Sequence, residues 1–225
     1  MRRLILASLL AIVFSLALLG AGGRTQTTDA ATHDPILFVH GYTSNASAWD
    51  TMKSRFIADG WAANTLFAYT FSSTTSNANV ANDIANRVTQ IKAATGAAKV
   101  DIIAHSMGSL SSRYYIKNLG GTANVDDYVS LGGPNHGTTW AYGCFFLSPC
   151  NQMIPGSSFL NQLNSGDETP GAVNYATFWS PCDELINPDT SVILSGATNT
   201  QTACMAHSDL RTDPNVYAGV RNFVQ

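Results

Sequence analysis

The chain has 225 residues, 45% of them apolar and only 12% charged, with a net charge of −3. Soluble domains usually carry about 25% charged residues. Twelve basic residues against fifteen acidic ones leave no positive surface for a nucleic acid.

Arg2 and Arg3 precede an uncharged run from Leu4 to Leu19, followed by Gly20, Ala21 and Gly22. A charged start, an apolar stretch and small residues are the three regions of a secretory signal peptide. An uncleaved anchor is the alternative, since the run could just span a bilayer. Cleavage reads after Gly22 or near Ala30, so residues 1–30 are expected to be signal peptide and polar linker, and 31–225 one domain. Either cut removes two more basic than acidic residues and leaves −5. No later stretch approaches membrane-spanning length. Four cysteines in an exported chain imply two disulfides, and of the three connectivities local pairing is simplest: Cys144 with Cys150, Cys182 with Cys204. Without a CxxC pair or a histidine set, no metal site is expected.

Pro35 to His40 is a short apolar run closed by Gly41, a buried strand with a tight exit. Ser47 can cap a helix carrying Trp49, Met52 and Phe56 on one face and stopping at Gly60. Leu66 to Phe71 reads as a strand. Val80, Ile84, Val88 and Ile91 then mark an amphipathic helix ending at Gly96. Val100 to Ala104 is a third strand, with a helix after it to Leu119. Val125 to Leu131 is a fourth, Val173 to Trp179 a fifth and Asn199 to Thr202 a weak sixth. Asp213 and Pro214 open a last helix as cap and first-turn proline. The stretch from about Asn135 to Pro170 is expected to be irregular. Strands alternating with helices imply an α/β fold with a mostly parallel sheet covered on both faces.

Ala104-His105-Ser106-Met107-Gly108 falls between an apolar strand and a helix. A serine at that corner sits on a sharp turn with its hydroxyl exposed, and its second neighbours must be small. A serine nucleophile needs a base, and the base an orienting acid. His33 lies in the linker, His40 beside the first turn, His105 should point away from Ser106, and His136 reads as a structural loop residue. His207, just before the last helix, is the expected base. Among the carboxylates between, Asp126 and Asp127 open a strand at the wrong end of a parallel sheet. Asp183 follows the fifth strand at its carboxyl end, with Asp189 the next choice and Asp167 a distant third. The Cys182–Cys204 bridge would fasten the acid loop to the base loop. An oxyanion hole needs two amides: Met107 after the nucleophile, and Tyr42 after the glycine of the first turn. An ordinary glycine turn with Tyr42 only packing is the plainer reading of that second position.

Pro35-Ile36-Leu37-Phe38-Val39-His40-Gly41 together with Ala104-His105-Ser106-Met107-Gly108 resembles the small secreted bacterial triacylglycerol lipases, Streptomyces-type and the related minimal Bacillus enzymes. The resemblance runs from about Asp34 to the last helix and loosens between Asn135 and Pro170. It implies a reduced α/β-hydrolase fold of about six strands, with Ser106 as nucleophile and Asp183, in Ser180-Pro181-Cys182-Asp183, as acid. It implies His207 as base and the Tyr42 and Met107 amides as oxyanion hole. The chain departs from the minimal Bacillus enzymes in its cysteines and in a longer loop before the acid.

These readings converge on a secreted hydrolase of lipid esters acting through an acyl-enzyme, without cofactor and as a monomer. A carboxylesterase or polyester hydrolase would use the same machinery, and a catalytically silent secreted binding protein is the reading from another class. Phe145, Phe146 and Leu147, inside the Cys144–Cys150 loop, either meet lipid or pack the loop onto the body.

Overall fold

A computed structural model describes residues 33–225. The expected signal peptide and linker lie outside the described residues, apart from the stretch that begins at His33. Among the described residues six strands form one sheet in the order β2-β1-β3-β4-β5-β6, and every neighbouring pair is parallel. They are β1 (Ile36–Val39), β2 (Leu66–Ala68), β3 (Val100–His105), β4 (Val125–Leu131), β5 (Asn174–Trp179) and β6 (Thr198–Gln201). The helices are α1 (Asp50–Ala58), α2 (Asn77–Thr95), α3 (Met107–Asn118), α4 (Ser148–Met153), α5 (Ser158–Asn164) and α6 (Pro214–Phe223).

The period-2 alternation of β1 sorts its side chains into two cores. Ile36 and Phe38 pack with Trp49, Met52 and Phe56 of the α1 segment and Val216 and Val220 of α6. Leu37 and Val39 face Val80, Ile84 and Val88 of α2 and Leu110 and Ile116 of α3. A parallel sheet covered on both faces follows, because no strand can leave a wet apolar side. The helix ends obey their local chemistry. Ser76 caps α2 by accepting from Asn79 N, and Gly96 ends it at φ 76°. The Asp213 carboxylate accepts from Asn215 N and Val216 N where Pro214 opens α6.

Three expectations are corrected. Asn45, not Ser47, is the first cap: its side chain accepts from the Ser47 amide and hydroxyl, and Ser47 lies in a 3-10 turn (Ala46–Trp49) preceding α1. β2 stops at Ala68, paired with Phe38, and Phe71 N donates to the His40 imidazole instead of to a ladder. The stretch expected to be irregular holds α4, α5 and a 3-10 turn (Thr139–Cys144). Helices of six and seven residues are too short to show a period in sequence.

Candidate active site

All six strands run the same way, so the loops after β1, β3, β4 and β5 meet at one rim, where open α/β sheets hold their ligands. Ser106 leaves β3 at φ 55° and ψ −131°, a strained backbone for a residue with a Cβ. Among the described residues only Thr43 shares a positive φ without being glycine, and both line the same cleft. Backbone strain concentrates where structure is over-determined around a site. The turn requires two glycines. A Cβ on Gly108 would come 2.4 Å from the His40 carbonyl oxygen, and one on Gly41 would come 2.7 Å from the Ser106 Cβ.

The expected acid and base meet. Asp183 Oδ2 accepts from His207 Nδ1 at 2.7 Å, with the side chains 1% and 5% exposed. Asp183 Oδ1 accepts the amides of Leu185 and Ile186, which fixes the carboxylate plane. In the neutral imidazole the proton on Nδ1 leaves Nε2 as an acceptor, and Nε2 is buried with no partner among the described residues. Ser106 and His207 line one cleft, together with Gly41, Tyr42, Trp140, Glu184 and Arg211.

The loops that carry Asp183 and His207 are tied twice. Cys182 is bonded to Cys204, and Ser180 donates its hydroxyl proton to the Met205 carbonyl while accepting from Met205 N and Cys182 N. The second disulfide, Cys144–Cys150, closes the rim loop between β4 and β5. Both pairings are the local ones expected from spacing.

Three neighbours of the expected residues have roles that sequence spacing did not reveal. His105 does not point clear of the site: its Nε2 donates to the His207 carbonyl at 3.0 Å, and the two rings stand 4.5 Å apart. Burial holds its pKa well below the ordinary histidine value, which keeps the ring neutral. Glu184 accepts the His207 amide on Oε2 at 2.9 Å, so the backbone of His207 is held at both its N–H and its C=O. His40 accepts from Phe71 N on Nε2, which puts its proton on Nδ1 and directs it to the Gly41 carbonyl at 2.8 Å. Burial lowers the His40 pKa too. Pinning that carbonyl sets the direction of the Tyr42 N–H, because both belong to one planar peptide. The Tyr42 ring packs edge-on to Trp140. Met107 opens α3, where the first amides have no acceptor within the helix.

The other candidates are engaged elsewhere. His33 stacks on Trp61, and His136 Nε2 pairs with Glu168 Oε1 at 2.8 Å. Asp189 accepts from Thr190 N, and Asp167 from Thr169 N. Asp127 lies at the opposite end of the sheet. Phe145 and Phe146 are 62% and 73% exposed, whereas Leu147, grouped with them from sequence, turns inward against the core.

The sheet order, the strained serine turn at the end of β3 and the rim of loops above it define an α/β-hydrolase fold. Solved structures agree on the architecture. A mature-form lipase of Bacillus licheniformis, BlEst2, superposes with a TM-score of 0.75 at 16% identity, over 88% of this chain and 94% of that one. Lipase B of Aspergillus fumigatus gives 0.69 at 18% identity, over 83% of this chain and 51% of the larger enzyme. A gene product of Listeria innocua gives 0.67 at 14% identity, over 86% and 94%. The family model described as Lipase (class 2) matches residues 33–214, and the chain belongs to that family. It is a lipolytic ester hydrolase.

Proposed function

We propose that the protein is a secreted serine hydrolase that cleaves carboxylic esters of lipids, triacylglycerols among them, through an acyl-enzyme. Ser106 attacks the ester carbonyl while His207 Nε2 takes its proton. Asp183 holds the imidazole in the Nδ1–H tautomer and stabilises the imidazolium that forms. The Met107 and Tyr42 amides bind the oxyanion, the first at a helix N-terminus and the second aimed by His40. His207 returns its proton to the leaving alcohol, and water, activated by the same base, then hydrolyses the acyl-serine.

The observation that carries this reading is the buried Asp183–His207 pair, whose imidazole lines the cleft that holds Ser106 and whose Nε2 has no partner among the described residues. Two disulfides support export to an oxidising compartment.

The test is Ser106→Ala with p-nitrophenyl esters of increasing chain length and a triglyceride emulsion. Hydrolysis should fall by about 10³–10⁶-fold in a folded protein. An organophosphonate ester should label the native chain at Ser106 and leave the variant unlabelled. Near-normal turnover in the variant would overturn the mechanism, and absence of labelling in the native chain would favour a silent binding protein. The modest cleft, about 270 Å³, also accommodates short-chain esters. A rate that peaks at the shortest chains and is negligible on emulsion would make the enzyme a carboxylesterase.

A further inference from the structure

Five large apolar side chains are prominently exposed among the described residues, and four of them fall within one short segment: Trp140, Tyr142, Phe145 and Phe146. The segment has two sides. Ala141, Cys150 and Met153 are buried and Leu147 packs against the same core, while the four aromatics face outward. Phe145 and Phe146 stand edge to face at 6.0 Å, and Trp140 reaches the cleft, where it meets Tyr42. The Cys144–Cys150 bond closes the loop that carries both phenylalanines. From Tyr128 to Gly166 the sequence has no Asp, Glu, Lys or Arg.

We propose that the Trp140–Phe146 segment is a docking face for an uncharged lipid surface, placed so that adsorption brings the cleft mouth to the ester. This rests on the lipid-ester reading above and adds where, and by what forces, the enzyme meets its substrate. The occupant follows from three observations. The cleft is small beside the roughly 300–1,000 Å³ of ordinary ligand cavities. A large acylglycerol therefore extends past the rim, and Trp140 stands where it emerges. With no charge in the segment, no ion there must be desolvated at an apolar boundary and nothing attracts an anionic headgroup. Trp and Tyr beside paired Phe side chains match the depth preference of a lipid interface, with amphipathic rings at the headgroups and hydrocarbon rings below. The disulfide and the buried side of the loop fix the arrangement before contact, so little ordering entropy is lost on adsorption.

The test is flotation of the protein in its exported form, freed of the expected signal peptide and carrying Ser106→Ala, with phosphatidylcholine vesicles and triolein droplets, with and without added Tyr142→Ser, Phe145→Ser and Phe146→Ser. The substitutions should weaken partitioning by about a hundredfold or more. Neither added phosphatidylglycerol nor high salt should strengthen or abolish the binding. On the active background, the triple substitution should leave hydrolysis of a water-soluble p-nitrophenyl ester unchanged and reduce turnover of emulsion.

Undiminished partitioning of the triple variant overturns the docking face, as does adsorption that rises with anionic lipid and falls with salt. So does self-association that the substitutions abolish, with no adsorption of the native chain, because a second copy would then cover the patch. Failure of the soluble-ester reaction in the native enzyme would overturn the serine mechanism instead, and the two failures are thereby distinguishable.

Discussion

Asp183 and Asp101 are carboxylates with almost no exposed surface, at opposite ends of one sheet. Asp183 faces an imidazole and receives two backbone amides, so each of its oxygens has a partner. Asp101, on β3 near its amino end, receives one amide, from Asp127, and has Asp127, Asp34 and Asp126 for electrostatic company. Burial, reinforced by those carboxylates, pushes Asp101 up to about 9. Lys99 answers part of the acidity there through its pair with Asp126. On the proposed mechanism, the difference teaches that a buried acid serves the chemistry where a titratable donor is built against it. Without one, it keeps its proton and is a tolerated cost to the fold.

Exchanging each acid for its amide separates the two ends. Asp183→Asn should lower kcat by about 10³–10⁴-fold, because an asparagine can hold the opposite imidazole tautomer. Its amide oxygen can still accept from Leu185 and Ile186, so thermal unfolding should move little. A kcat within tenfold of the native value would remove Asp183 from the mechanism.

Asp101→Asn should leave kcat alone and act on stability. The native carboxyl holds its proton up to about pH 9, whereas the unfolded one releases it above about 4. Unfolding thus releases a proton in that window, and native stability falls as pH rises through it. The variant cannot titrate, so denaturant titration should show it equal to the native chain near pH 3 and more stable at pH 8, by up to about 5 kcal/mol. The opposite sign at pH 8 would mean that Asp101 is ionised and stabilising.

The smallest expected effect lies between these extremes. Glu184→Gln keeps an acceptor for the His207 amide but removes a charge near the imidazolium. At an exposed position this should cost about two- to fivefold in kcat with KM unchanged. A shift in KM alone would assign Glu184 to substrate contact.

Much of this was legible before any coordinates. The apolar runs of β1, β3, β4 and β5 and the spacing of Val80, Ile84, Val88 and Ile91 are strong signals, since burial on both faces leaves no other use for them. Ser106, Asp183 and His207 could be chosen because chain order and strand polarity restrict where each can stand. That Asp183 bonds to His207, and that His207 lines one cleft with Ser106, needed tertiary structure. His105 was misjudged for a definite reason. Alternation along β3 sends Ala104 and His105 to opposite faces, and the face opposite Ala104 is the one over which the His207 turn folds back, with Leu210 packed beside Ile103 and Leu131. The roles of Glu184 and His40 were hidden because each bonds backbone, which sequence cannot place. The docking loop divides within itself, Phe146 outward and Leu147 inward, and no local pattern distinguishes those two neighbours.

The uniform direction of the six strands has a consequence for descent as well as for chemistry. Ser106, Asp183 and His207 are anchored on or just beyond strand ends, while the aromatic segment lies in an excursion between β4 and β5. Insertions, deletions or swaps within that excursion leave the sheet's register untouched. Lineages built on this scaffold can therefore exchange one diet for another by editing a single loop, with Ser106, Asp183 and His207 left where they stand.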